Sequence, residues 1–550
     1  MYDIVNDVST AVNPTETTAL PHPRRLPESA WVFISSLVFY LTVAVYLVYG
    51  EHYYAGDALS RVANAYYVLF SQNPHLGAIG MVWNPLPSVL ELPIVALHPW
   101  FPQVVTQGLA GDAVTAVLGA FAVTHLNAIL RTFSLPRLWR WALVLAFGFN
   151  PLVVLYSANG MSDMMWVACI LGTYRGVLGY LETGSLRRLI SGALWLAAGF
   201  GMRYEAVPFG ACVIAALMAA QWGRTERAQW QGSGVLLGAP IVFAGMVWIY
   251  FNWMLMKDPL YFLNSAYSNL AQTSTGAYMT RGIVAADHHV LGALLYVVRF
   301  GFFYWPLFLA WPLALGLTLR RRADRRALVL VAGTVGAELL ELALVYQGHL
   351  GEWDRYFLEF IPNGIVLTGW VLSQAWPWLS RRWLVWRGMA LAVVGALILS
   401  GSVGTYFALQ HSELGHPDGQ VIDWALAGRS MKSTADNPFT EDQTVIDYVD
   451  QHPGMTILAD TFTDWPVVIR AKHLNQFVIT SDYDFEAILH NPRGRVSAFL
   501  VPEPLGVATL NAINRAYPNM WAGGVSWVRL LKSFPGGLNY RLYQVLPSAP

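Results

Sequence analysis

The sequence WVFISSLVFYLTVAVYLVYG, residues 31–50, decides the class of this protein. It is an uninterrupted apolar run, and a helix of about 20 such residues is long enough to cross the ~30 Å hydrocarbon core of a bilayer. Arg24 and Arg25 precede the run, and no small-residue cleavage site follows it. These features predict a retained membrane anchor with a cytoplasmic N-terminal tail, residues 1–29, instead of a cleaved signal peptide.

The composition of the whole chain agrees with a lipid environment. Of the 550 residues, 55% are hydrophobic and only 12% are charged, whereas about 25% of a typical soluble chain is charged. Lys plus Arg (34) equal Asp plus Glu (34), so no net charge indicates a nucleic-acid partner. Cys169 and Cys212 lie in apolar runs and cannot form a disulfide framework or a thiolate metal site. The composition excludes an ordinary soluble enzyme.

Apolar runs long enough to span a membrane recur along the chain and predict about eleven transmembrane helices. Arginines collect in alternate connections between these runs, which assigns that side of the membrane to the cytoplasm by the positive-inside rule. Residues 30–410 are therefore predicted to form a transmembrane domain with outer loops at 51–104 and 257–290. The predicted spans lie near residues 31–50, 105–130, 138–157, 163–182, 187–202, 205–222, 234–256, 291–319, 326–347, 355–376 and 383–409.

Two further segments of the chain are predicted from their patterns. The first outer loop contains apolar stretches at 58–70 and 85–100, and the second is short and interrupted by prolines, so both are predicted to be juxtamembrane helices. After about residue 410, four strand-like runs alternate with helical stretches. Residues 411–550 are predicted to form a small extracytoplasmic α/β domain, without a glycine-rich pattern for nucleotide binding.

The segment EHYYAGDALSR, residues 51–61, carries the strongest functional signal. It follows the first span and leads into the first juxtamembrane helix, where Asp57 is either a helix cap or a catalytic acid. This layout resembles the GT-C superfamily of polytopic glycosyltransferases, in the branch of protein O-mannosyltransferases and the aminoarabinose transferase that modifies lipid A. An acidic residue at this place acts in that branch as the catalytic base or its close support. The resemblance implies this role for Asp57.

A second outer acid, Asp163, ends the segment YSANGMSD, residues 156–163. Related enzymes place a polar or acidic active-site residue here, although Ser162 or Asp163 could equally cap the next helix. Two carboxylates in one cavity either adjust the pKa for proton abstraction or hold a divalent cation such as Mg²⁺ or Mn²⁺ against a phosphate. The sequence leaves both alternatives open, so Asp57 and Asp163 are also the candidate ligands of a metal ion.

Cationic residues at the same outer level are candidates for binding a lipid phosphate. Arg203 lies with Glu205 between two spans, and Arg355 lies with Tyr356 at the start of another; relatives have an arginine near both places. The planar guanidinium suits bidentate binding of phosphate oxygens. The alternative for each arginine is an interfacial anchor or ion pair.

Three more residues are candidates for substrate contacts. His288 and His289 end the second outer loop, where they would help to bind a phosphate or an acceptor, and metal binding by both is improbable because adjacent side chains diverge in a helix. Asn84 precedes the second juxtamembrane helix at a place where the family has a charged residue. Because Asn84 differs from the family in this way, we expect only a supporting role for it.

By this resemblance the chain is predicted to be a glycosyltransferase that moves a hexosyl or pentosyl group from a polyprenyl-phosphate donor to a glycan, lipid or protein hydroxyl. The reaction takes place on the outer face of a bacterial plasma membrane, with inversion and with Asp57 as base. The alternatives are a polymerase or ligase of lipid-linked glycans, and a transporter or flippase in which Arg299, Glu338 and Glu341 couple transport to an ion.

Overall fold

Helices dominate the first 410 residues of the chain. The computed structural model describes residues 26–277, 280–320, 324–351, 353–379, 384–411, 414, 416–431 and 442–547, and the predicted cytoplasmic tail lies almost entirely outside them. Each predicted span is helical within these residues, because backbone groups in lipid must be satisfied inside the segment. The helices are Glu28–Tyr46, Leu109–Thr132, Arg137–Gly148, Pro151–Tyr156, Ser162–Thr183, Leu186–Met202, Ala206–Gln221, Arg227–Met256, Val290–Arg299, Leu307–Arg320, Arg326–Ala337, Leu339–Tyr346, Phe360–Leu379 and Leu384–Leu409.

Several of the described helices are long and apolar enough to span a membrane on their own. Six of the described helices are long and apolar enough to cross a membrane, and the pair Val290–Tyr304 and Leu307–Arg320, bent by 101°, makes a seventh if it counts as one span. Other predicted spans are short: the 17 residues of Leu186–Met202 rise only about 26 Å. By length and composition, six or seven segments within the described residues can each span a membrane as one helix, which agrees with a polytopic membrane protein.

Burial separates a central layer of helices from a lipid-facing periphery. Of the most apolar window of Ser162–Thr183, 89% is buried, whereas only 22% of the corresponding window of Arg227–Met256 is buried. Ser162–Thr183 forms a tight antiparallel hairpin with Leu186–Met202. A Cβ atom added at Gly176 would collide with the backbone of Gly192, so these two glycines allow the close approach.

Short helices build the two outer loops. The two predicted juxtamembrane helices are confirmed as Gly56–Phe70 and Leu86–Val95. The ten residues of Leu86–Val95 rise about 15 Å and cannot cross a bilayer. The remaining helical turns are Leu47–Glu51, Leu76–Ile79 and Gln103–Thr106 around the first loop, Tyr261–Asn264, Asn269–Ser274 and Arg281–Ala286 in the second, and Phe300–Tyr304 and Asp354–Phe357 beside later helices.

The C-terminal part confirms the predicted α/β architecture. Its strands are β1 (Ile457–Ala459), β2 (Phe477–Ile479), β3 (Ala498–Pro502), β4 (Val528–Phe534) and β5 (Tyr540–Val545), in the order β2-β1-β3-β5-β4. β1 is parallel to β2 and β3, whereas β5 is antiparallel to β3 and β4. The three parallel strands are buried throughout, as apolar parallel strands usually are. The associated helices are His416–Ala427, Gln443–Asp450, Trp465–Val468, Phe485–His490 and Ala512–Ala516, with turns at Leu474–Gln476 and Gly506–Leu510.

The sheet shares its hydrophobic core with the first juxtamembrane helix. Leu59, Val62 and Tyr67 of Gly56–Phe70 are buried in one cluster with Ile457 of β1 and Val467 behind it. Each of these side chains is at most 2% exposed. The helix that carries Asp57 is therefore fixed on one side by the C-terminal sheet.

Candidate active site

Asp57 and Arg355 form the first ion pair of the site. Asp57 lies in the first turn of Gly56–Phe70, and the N-cap is Ala55, so Asp57 is not the cap residue. Arg355 donates a hydrogen bond from Nη2 to Asp57 Oδ2 at 2.6 Å. The surrounding protein partly desolvates the carboxyl, which favours protonation, but the charge and hydrogen bond of Arg355 outweigh this and hold the pKa of Asp57 below its usual value. Asp57 is therefore an exposed, ionised carboxylate.

Asp163, Arg203 and Glu205 form a second, buried ion group. Arg203 donates from Nη1 to Asp163 Oδ1 at 2.5 Å and from Nε to Glu205 Oε1 at 2.6 Å. The exposed fractions of the Asp163, Arg203 and Glu205 side chains are 1%, 10% and 6%. The helix hairpin explains this meeting, because Asp163 begins Ser162–Thr183 and Arg203 directly follows Leu186–Met202. The N-cap before Asp163 is Met161, so Asp163 is not the cap either.

Tyr356 joins the two ion groups. Its ring centroid lies 4.8 Å from Cζ of Arg203 and 5.2 Å from Cζ of Arg355. Cations attract the negative face of an aromatic ring at such distances. Arg355 also approaches the sulfur of Met161, two residues before Asp163, with Nη1 at 3.8 Å. Four candidate residues from separate parts of the sequence thus lie in one cluster around Tyr356.

Asn84 and Glu205 connect this cluster to its surroundings. Asn84 donates from Nδ2 to the carbonyl of Phe200 at 2.5 Å, in the last turn before Arg203. Glu341 is 2% exposed, and its carboxyl lies close enough to Glu205 for their charges to interact. Glu338 is 6% exposed and lies in the same buried group. The structure therefore places Glu338 and Glu341 behind Glu205.

The two histidines lie apart from the cluster. His289 accepts a hydrogen bond at Nδ1 from Gly292 N at 2.9 Å and thereby caps Val290–Arg299. The exposed His288 ring packs edge-on against Tyr346. Neither histidine contacts Asp57, Asp163 or the two arginines among the interactions of the described residues, and their role in binding remains a prediction.

The acids do not make an evident metal site. No group of three or more His, Cys, Asp or Glu side chains within the described residues is arranged to hold a metal ion. Asp57 and Asp163 are each paired with an arginine, whereas Mg²⁺ and Ca²⁺ sites gather several oxygen ligands. The acids among the described residues therefore do not match the ligand set of a divalent cation.

Sequence reasoning missed two sets of polar residues near Asp57. Tyr156 donates a hydrogen bond to Oδ2 of Asp418 at 2.6 Å, and Asp418 lies in a GHPDG segment that reads as a turn. Asp112 and Asn159 line a narrow pocket beside the Asp57 helix. Asp112 lies on Leu109–Thr132 and Asn159 precedes Ser162–Thr183, so no local sequence spacing shows that they meet.

Two solved structures of ArnT from Cupriavidus metallidurans resemble this protein over nearly its whole length. The structure bound to undecaprenyl phosphate has a TM-score of 0.54 and 12% identity, covering 95% of this chain and 100% of ArnT. The apo structure has a TM-score of 0.51 and 12% identity, covering 95% and 99%. No protein-family model and no curated sequence matches the chain. The protein therefore has the fold of ArnT, with the candidate active site beside the helix Gly56–Phe70.

Proposed function

We propose that this protein is a membrane glycosyltransferase that moves a sugar from a polyprenyl-phosphate donor to an acceptor hydroxyl. The observation that carries the proposal is the cluster of Asp57, Arg355, Tyr356, Arg203 and Asp163, which combines carboxylates with two phosphate-binding cations at one site. The fold supports it, since ArnT with the same fold is described with bound undecaprenyl phosphate.

Arg355 is the first ligand of the donor phosphate in this proposal. Its guanidinium pairs with an exposed carboxylate, and a phosphate diester competes for the same planar donor. The isoprenoid tail stays in lipid while the phosphate reaches Arg355 and the edge of the Arg203 group. When the phosphate also binds the guanidinium of Arg355, the interaction between Arg355 and Asp57 weakens. Because this interaction lowers the pKa of Asp57, the pKa rises and Asp57 becomes a better proton acceptor.

The transfer itself needs one base and one stabilised leaving group. The acceptor oxygen attacks the anomeric carbon, its proton passes to Asp57, and the bond from the anomeric carbon to the phosphate oxygen breaks with its electron pair on the phosphate. Attack from the side opposite to the phosphate inverts the configuration. Arg355 and Arg203 stabilise the charge on the departing polyprenyl phosphate.

The remaining candidate residues support this arrangement. Asp163 and Glu205 hold Arg203 in place, Tyr356 orients both guanidinium groups, and Asn84 fixes the helix end before Arg203. His288 and His289 contact the acceptor or the phosphate from the second outer loop. The site faces the outside of a bacterial plasma membrane, the N-terminus is cytoplasmic, and the C-terminal α/β domain is extracytoplasmic. The sugar is a hexose or a pentose, and the acceptor is a glycan, a lipid or a protein.

The test is release of free polyprenyl phosphate from a panel of lipid-phosphate sugars by purified protein in nanodiscs, with an envelope fraction as acceptor. We expect Asp57→Asn to reduce release about a hundredfold or more, the usual range for loss of a general base. Asp258→Asn is the matched control, because Asp258 is an outer-loop acid whose partners are Leu260 and Asn264. Equal release by both variants would remove Asp57 as base.

Absence of release from every donor would contradict the glycosyltransferase itself. It would favour the transporter or flippase, for which uptake or lipid translocation is the direct measurement. Extension of a lipid-linked glycan by many units, instead of a single transfer, would favour the polymerase.

A further inference from the structure

The helix His416–Ala427 returns to the transmembrane bundle after the last apolar helix. It packs against Pro151–Tyr156 and against the turn Leu47–Glu51, and its Ile422 belongs to the hydrophobic core of the bundle. Tyr46 donates a hydrogen bond to the carbonyl of Ala425 at 2.8 Å. These contacts fix the helix beside the outer end of the first span, where the Asp57 segment begins.

Asp418, in the first turn of this helix, points toward the candidate active site. Tyr156 donates its hydroxyl proton to Asp418 Oδ2 at 2.6 Å, and Tyr156 is 4% exposed. The charged groups that act on the Asp418 carboxyl are Arg355 and Asp163, and both belong to the cluster described above. Asp418 is therefore a fourth carboxylate at this site, after Asp57, Asp163 and Glu205, and a segment far along the chain supplies it.

We propose that Asp418, held by Tyr156, is a positioning residue that keeps Arg355 in place for the donor phosphate. The inference rests on the proposed function and extends it. Arg355 is attracted by Asp57 through a direct ion pair and by Asp418 through space. When the phosphate displaces Asp57 from Arg355, the ionised Asp418 still attracts the guanidinium, and a protonated Asp418 does not.

Protonation of Asp418 falls in a useful pH range. Burial raises the pKa of Asp418 to about 6, and the charge of Asp163 acts in the same direction, whereas the hydrogen bond from Tyr156 and the charge of Arg355 oppose it. Asp57 has a lowered pKa and does not titrate there. Asp418 is ionised above this pH and loses its charge below it, so activity should fall as the pH drops through about 6.

Other titratable groups lie on the elements packed against this helix. Glu51, on the turn Leu47–Glu51, is buried and acts on Tyr46. Tyr53 interacts with Asn159 and is a neighbour of Asp418. On the preceding helix, Tyr406 donates to Oδ1 of Asp423 at 2.8 Å.

The pair Asp423 and Tyr406 is a matched control within the same helix. Asp423 also accepts a hydrogen bond from a tyrosine, and from Gln410 at 3.0 Å. Its partners are on Leu384–Leu409 and the residue that follows, and they do not belong to the Arg355 cluster. Asp423→Asn therefore removes the same chemical group from the same helix without touching the proposed role.

The experiment measures kcat/KM for release of polyprenyl phosphate from about pH 5 to 8. We expect an acidic limb with a midpoint near 6 for the wild type. Asp418→Asn should abolish this limb and lower kcat/KM about tenfold at neutral pH, as for loss of a charged hydrogen-bonding group. Tyr156→Phe should move the midpoint of the acidic limb to higher pH, because the Tyr156 hydroxyl stabilises the ionised carboxylate of Asp418. Asp418→Glu keeps a carboxyl group and should therefore retain an acidic limb.

The results separate this inference from the proposed function. If the wild type releases polyprenyl phosphate and Asp418→Asn keeps the wild-type pH profile, the role of Asp418 is wrong and the glycosyltransferase stands. If the wild type releases none, both fail. A pH titration of carboxyl infrared absorption in nanodiscs gives a readout without turnover: a band with a midpoint near 6 should be present in wild type and Asp423→Asn and lost in Asp418→Asn. Its persistence in Asp418→Asn would also overturn the inference.

Discussion

The two arginine–carboxylate groups of the site have the same chemistry and opposite surroundings. Arg203 is buried between two carboxylates, with Asp163 only 1% exposed, whereas the carboxyl of Asp57 opposite Arg355 is 59% exposed. A buried pair costs much to break because the remaining charge is left without compensation, and an exposed pair contributes little to stability. The buried group therefore maintains the architecture, and the exposed pair is available to exchange its partner for a substrate.

The largest expected effect comes from breaking the buried group. Arg203→Ala leaves Asp163 and Glu205 together without a cation, and we expect the free energy of unfolding to fall by about 3–5 kcal/mol. Reversible unfolding in mixed micelles measures it. Asp57→Asn, which removes the exposed carboxylate of the other pair, should cost less than about 1 kcal/mol in the same assay, and equal losses for the two variants would remove the distinction between the groups.

The second effect concerns catalysis at the exposed pair. Arg355→Ala removes a donor to the departing phosphate, and we expect kcat for release of polyprenyl phosphate to fall about a hundredfold or more. Arg281→Ala is the control, because Arg281 is an exposed arginine of the second outer loop. A variant that lost only affinity, with kcat unchanged, would show that Arg355 binds the phosphate equally in ground and transition states.

A smaller effect, on the affinity for the product, tests whether the phosphate replaces Asp57 as the partner of Arg355. Asp57→Asn frees Arg355 from its ion pair, so this variant should bind the product undecaprenyl phosphate up to about fivefold more tightly while its turnover falls. Titration of the protein with undecaprenyl phosphate in detergent checks the affinity. Weaker binding by Asp57→Asn would mean that the carboxylate helps to hold the phosphate, contrary to competition for Arg355.

The smallest effect is the pH dependence of stability at Asp57. Because its folded-state pKa is lowered, the stability that ionisation contributes is fully present above the ordinary Asp pKa of about 3.9 and is lost as the pH falls through the lower folded value. The difference in unfolding free energy between wild type and Asp57→Asn should therefore disappear in acid. A difference that grew below that pH would contradict the lowered pKa.

The sequence predicts the identity of the site residues better than their pairing. Asp57, Asp163, Arg203 and Arg355 are recognisable because each lies where an apolar run begins or ends. Asp57 and Arg355 are 298 residues apart in the chain, and no local pattern states that their side chains meet. Asp418 was not predicted as a site residue, because His-Pro-Asp-Gly has the composition of a turn. Its role follows only from the packing of the helix that carries it.

The fold, like the site, could be predicted only in part from the sequence. Apolar runs predict the helices, but the number that cross a membrane depends on bends, such as the 101° between Val290–Tyr304 and Leu307–Arg320. Four of the five strands were predicted from their runs. The strand β2, Phe477–Ile479, was not predicted.

The hydrophobic cluster shared by the Asp57 helix and the C-terminal sheet limits how this protein can be recombined. Leu59, Val62 and Tyr67 are complementary to the side chains around Ile457 and Val467. An exchange of the C-terminal domain between related proteins would leave this helix against a foreign surface and move Asp57 with it. A functional chimera therefore has to carry residues 56–70 together with residues 442–547 as a single module, although residues 71–441 separate them in the chain.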